Sequence, residues 1–85
     1  MILYHGTDKQ WLKNIKRKGL KKGGYVTSLK FIAEGHTDYE DYKDPIILKL
    51  SIPKKLLSYY IDINELEEEE IAEIIKNIPI KFIVY

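Results

Sequence analysis

Eighty-five residues leave room for one domain, residues 1-85, with one modest core, because a chain this short keeps a large share of its surface in water. At 45% hydrophobic and 32% charged residues the chain has the composition of a folded protein, and fourteen Lys and Arg against thirteen Asp and Glu give no global field that demands nucleic acid or membrane. The absence of cysteine excludes disulfides, thiolate metal sites and thiol catalysis.

Met1-Ile2-Leu3-Tyr4-His5 enters an apolar run with no basic leader or cleavage site, and no apolar run approaches the ~20 residues of a membrane span. The expectations are therefore no membrane and a cytoplasmic setting. Ile2 to His5 reads as a short strand ending at Gly6. Thr7 and Gln10 fit a capping box that opens a helix with Trp11, Leu12 and Ile15 on one face and Gly19 as its stop. Leu20 then stands where a helix end makes its closing apolar contact.

Gly23-Gly24 breaks the chain, and Tyr25-Val26-Thr27 is a β-favouring triplet. Ser28 to Gly35 predicts a short helix with Phe31, Ile32 and Ala33 inward, followed by a polar loop from His36 to Asp44. Ile46 to Ile52 alternates apolar and polar residues and ends at Pro53, the pattern of a half-buried strand. Tyr59 to Ile63 and Ile80 to Tyr85 read as further strands. Glu65 to Asn77 carries Leu66, Ile71, Ile74 and Ile75 at helical spacing, yet Ile71 to Lys76 also passes as a strand, and periodicity leaves both open. An apolar sheet edge at Ile80 to Tyr85 is expected to be covered or paired, association into a homodimer being one way to do it.

The pattern with most chemical content is Tyr4-His5-Gly6-Thr7: a histidine at a strand end, a glycine that exposes its backbone, and a cap at a helix start. A helix start presents unpaired N–H groups to an anion such as a pyrophosphate. The plainer reading is a histidine that finishes a strand and satisfies a neighbour. Lys16, Arg17, Lys18, Lys21 and Lys22 form the basic cluster, either a solvated helix end that complements its dipole or a steering patch for a phosphate-rich substrate. His36, Asp38 and Asp41 match no metal-ligand spacing.

Leu3-Tyr4-His5-Gly6-Thr7, Leu12 to Ile15, Gly19-Leu20, Tyr25-Val26-Thr27, Ala33 and the strand Ile46 to Pro53 follow in an order that resembles the ADP-ribosyltransferases. The resemblance is to the branch typified by diphtheria toxin and the poly-ADP-ribose polymerases, whose site is a His-Tyr-Glu triad. It implies an α+β fold with a split antiparallel sheet core and one or two short helices. It also implies NAD as substrate and an acceptor that is a protein or a nucleic acid. By the same resemblance His5 holds a ribose hydroxyl, the Gly6 backbone grips the nicotinamide carboxamide, Thr7 adds a contact, and Tyr25 stacks on the nicotinamide ring.

The third member of that triad is a glutamate that stabilises the cation formed as nicotinamide leaves. Glu73-Ile74-Ile75-Lys76-Asn77-Ile78-Pro79 resembles the family's glutamate-bearing strand, which makes Glu73 the first choice and Glu70 the second. If Glu65 to Asn77 is one helix, these acids are instead a solvated face. Two alternatives to transfer follow: a reduced module that binds NAD or an ADP-ribose-type nucleotide, and an RNA 2'-phosphotransferase, which needs arginines for phosphate where this chain has Arg17 alone.

Overall fold

The computed structural model describes residues 1–84 of the chain. Its central strand, β1, runs Ile2–Asp8, three residues beyond the predicted end at His5. The reason is pairing: β3, Pro45–Ser51, supplies an antiparallel partner along the whole length, from Ile2 beside Ser51 to Asp8 beside Pro45. Thr7 is thereby drawn into the ladder and buried, and it caps no helix. Asp8 instead caps the 3-10 turn that precedes the helix, its Oδ1 accepting from the Gln10 N–H at 3.0 Å and its Oδ2 from the Asp44 N–H at 3.2 Å. A single 3-10 turn at Lys9–Trp11 then leads into α1, Leu12–Lys18.

Gly19 ends α1 with φ 80°, a left-handed conformation that suits a residue without Cβ. Leu20 makes the expected closing contact: it is buried and exchanges backbone hydrogen bonds with Ile78 at 3.0 and 2.8 Å. Tyr25–Thr27 is β2, as predicted. The helix that follows, α2, spans Lys30–Tyr39 and absorbs His36 to Tyr39, which sequence places in a loop. Its buried residues are Ala33 and Thr37, one turn apart on one face, while Phe31 points away and is 67% exposed. Small residues face inward because this face closes onto Gly6, where a Cβ would lie 2.6 Å from the Ala33 carbonyl oxygen and 2.7 Å from Thr37 Cγ2.

The region read as the strand Tyr59 to Ile63 is the end of one helix and the start of another. α3 covers Lys54–Tyr60 behind Pro53 and buries Leu57, and α4 covers Ile63–Glu69, capped by Asp62, whose Oδ1 accepts from the Glu65 N–H at 3.2 Å. Only Ile61 between them keeps an extended contact, a bridge to Ile74. Both readings of Glu65 to Asn77 hold in part: α4 stops at Glu70, which turns with φ 62°, and β4 follows at Ile71–Glu73. At the other end Ile80–Phe82 closes as a 3-10 turn that sends Phe82 into the core, so the predicted strand shrinks to β5, Ile83–Val84. Tyr85 lies outside the described residues.

The five strands form one antiparallel sheet in the order β4-β2-β1-β3-β5, and with four helices among the described residues, rather than one or two, the domain is α+β. Successive residues of a strand face opposite sides. Leu3, Val26, Leu48 and Leu50 pack on one side with Ile15 of α1, Leu57 of α3, Leu66 of α4 and Phe82. The other side is crossed by α2 over Gly6. The edge strands are two and three residues long, a length that offers little template for pairing.

Candidate functional site

His5 follows Leu3 on the core side of β1 and lies at the margin of the packed face, half-buried. Its Nδ1 is 2.7 Å from the backbone carbonyl oxygen of Tyr25. A carbonyl only accepts, so Nδ1 carries the hydrogen and Nε2 keeps its lone pair. Burial lowers the imidazole pKa from 6.5, the Tyr25 carbonyl pulls it partly back, and nearby His36 adds to the lowering. At neutral pH the ring is therefore an uncharged acceptor at Nε2.

Tyr25 starts β2 and is 53% exposed. It lines a hollow of about 330 Å³ together with His5, Gly6, His36 and Tyr42. Glu73 is its cross-strand partner on β4, so the two side chains leave the same side of the sheet within reach of each other. The Glu73 N–H donates to Glu65 Oε1 at 2.6 Å, and its exposed carboxylate lines neither of the two hollows that His5 borders. Glu70 lies at the other end of β2. Its carbonyl accepts from Thr27 Oγ1 at 2.7 Å and from the Ser28 N–H at 3.2 Å, and its side chain borders a depression shared with Met1 and Lys54. Register thus brings Glu73, and not Glu70, beside Tyr25.

Gly6 contributes backbone. Met1 and Lys9 bond to Ile52 and Asp44 across the β1–β3 ladder, and antiparallel alternation then turns the even residues of β1, Gly6 among them, toward β2. The β1–β2 ladder consists, among the described residues, of the pair Tyr4 and Thr27. The Gly6 amide and carbonyl are therefore directed to the side where that ladder has stopped, next to Tyr25. Thr7, which the resemblance adds to the site, is buried in the β1–β3 ladder opposite Ile46 and borders neither hollow.

A second hollow of about 320 Å³ adjoins the first, lined by His5, Trp11, Asn14, Lys18, Lys21 and Lys22 among others. His5 and Gly24 border both. Trp11, expected to share a helical face with Leu12 and Ile15, lies in the 3-10 turn before α1, is 43% exposed and borders this hollow together with Ile15. Its ring meets Tyr42 edge-on at 5.6 Å, and Tyr42 meets His36 at 6.1 Å. Trp11, His36 and Tyr42 escaped sequence reasoning as a group. Their separation of up to 31 positions carries no local signal, and the turn that gathers them follows from α2 running past Gly35. Burial first, and the charges of Glu40 and Asp8 after it, raise the Tyr42 pKa above 10.0, so this ring is a neutral phenol near His36.

Among the described residues no three His, Cys, Asp or Glu side chains converge as a metal site, and no helix is long and apolar enough to cross a membrane. Set against known proteins, the chain matches no family model and no curated protein.

Proposed function

We propose that the domain is an ADP-ribosyltransferase-like protein that binds the nicotinamide-ribose end of NAD in the Tyr25 hollow. The observation that carries this reading is the His5–Tyr25 pairing. One hydrogen bond fixes a neutral imidazole with its acceptor nitrogen free for a ribose hydroxyl, beside an exposed aromatic ring suited to stacking. The Gly6 backbone, turned toward the same gap, supplies an amide and a carbonyl complementary to a carboxamide. A hollow of about 330 Å³ lies in the range of small-molecule sites and admits a pyridine ring with its ribose.

In transfer, the bond between ribose C1' and the nicotinamide nitrogen breaks with its electron pair, and nicotinamide leaves as a neutral base. An acceptor oxygen or nitrogen then bonds to C1' and releases its proton to water. The cation between those events needs a negative group, and Glu73 is the carboxylate that register places beside Tyr25. Because that carboxylate lines neither hollow, a second reading stands: a module that grips NAD without turning it over.

Calorimetric titration with NAD, run with nicotinamide release followed in the same samples, tests both. Wild type is expected to bind, His5→Ala to bind at least about tenfold more weakly, and Glu73→Gln to bind as wild type while releasing nicotinamide about a hundredfold more slowly. Binding without release in the wild type selects the second reading. No heat at millimolar NAD overturns both.

A further inference from the structure

Residues 9–33 carry eight of the fourteen basic side chains and none of the thirteen acidic ones. The fold brings three of these eight, Lys18, Lys21 and Lys22, together near the Tyr25 end of the short strand β2. Lys21 and Lys22 lie just before Tyr25, where with Lys18 they line the second hollow, whereas Glu67 and Glu70 border a depression beyond Thr27. No carboxylate lines the lysine hollow, so its positive potential has no compensating group in the wall. Its rim includes Trp11, 43% exposed and held edge-on by Tyr42.

We propose that this hollow is a binding site for single-stranded nucleic acid. Lysines that follow a phosphate backbone, together with an aromatic ring on which a base stacks, are the two elements such sites combine. Lys13 and Arg17, one turn apart on α1, adjoin the lining residues Asn14 and Lys18 in sequence, which is more charge than one diphosphate needs and suits a chain of phosphates. The carboxylates of an acidic protein segment would use the lysines but have no favourable contact with the face of the indole, on which a nucleic-acid base stacks. The binding claim stands without NAD. Only its role as the acceptor rests on the preceding reading, because His5 borders both hollows and the strand would lie next to the ribose.

Trp11 is the chain's one tryptophan, so its fluorescence reports on the site directly. Titration of the full chain with single-stranded 12-mers of DNA and of RNA is expected to quench it, with the two arms showing which sugar is preferred and a duplex of the same sequence binding more weakly. Three lysine–phosphate contacts predict binding about fifteen- to twentyfold weaker at 200 than at 50 mM salt. Measured by anisotropy of a labelled 12-mer, Lys21→Glu with Lys22→Glu is expected to lose at least about tenfold. Lys54→Glu with Lys55→Glu, at exposed positions of α3, carries the same charge change and is expected to lose far less. Trp11→Ala is expected to weaken binding, and Trp11→Phe to restore it. Equal effects of the two charge reversals, equal quenching by poly-glutamate or by a mononucleotide, or displacement of the 12-mer by NAD with the lysine variants losing NAD in step would each overturn the proposal.

Discussion

Two opposing influences act on the His5 imidazole, and their balance sets how the fold responds to acid. Burial disfavours the charged ring more than the Tyr25 carbonyl favours it, so the folded pKa lies below 6.5. The unfolded chain then takes up its proton first as pH falls, and stability decreases from about pH 6.5 downward until the folded ring titrates as well. The Asp8 carboxyl is held below 3.8 chiefly by the Gln10 N–H, and its contribution is lost only in a more acid window. Urea midpoints are expected to be flat above pH 7 and to fall below pH 6.5, and His5→Ala is expected to remove that slope; a slope that survives the substitution assigns it to another group. The His-Gly pair was legible as a special position from its residue types alone. Which neighbour caps the turn that leads into α1 was not, since Thr7 and Asp8 are both good caps and the choice fell to the reach of β3.

At the scale of elements, the end of α1 holds the glycine with the tightest surroundings of the five. A Cβ on Gly19 would sit 2.1 Å from the Ile78 carbonyl oxygen, on a backbone already at φ 80°, whereas one on Gly23, at φ 98°, would meet nothing within 4 Å. Both substitutions pay for the left-handed conformation, about 1–3 kcal/mol, but only Gly19→Ala must also push apart the Leu20–Ile78 bridge. Gly19→Ala is expected to destabilise clearly more than Gly23→Ala in urea unfolding, and equal losses would show that the bridge yields freely. Gly19 was readable as a helix stop, and Ile46 to Ile52 as a strand, because glycine and strict alternation are local signals. Tyr59 to Ile63 misled for a physical reason: its aromatic and β-branched residues favour a strand, yet Pro53 starts a helix whose Leu57 fills the core.

Across the whole molecule the two faces of the sheet are unequally covered. One carries the core shared by α1, α3, α4 and Phe82, and the other carries α2, whose buried residues are the small side chains Ala33 and Thr37. Regions with few buried apolar contacts open at low cost, so amides of α2 are expected to exchange faster than those of β1 and β3, and a ligand in the Tyr25 hollow is expected to slow them. Uniform exchange would instead show that α2 unfolds only with the domain. Strand order is the part of the site that sequence could not give. Tyr25 and Glu73 stand 48 positions apart, and only the placement of β4 beside β2 makes them neighbours.

The grouping of Lys18, Lys21 and Lys22 around one hollow, with Glu67 and Glu70 bordering another, also shapes how the domain meets a charged partner. With a net charge of only +1, it feels little pull toward a distant polyanion. Close in, an uneven charge distribution experiences a torque, which turns the lysine hollow toward the polyanion before contact. Encounter is thus selective in orientation while remaining weak in attraction, and added salt removes the turning along with the pull.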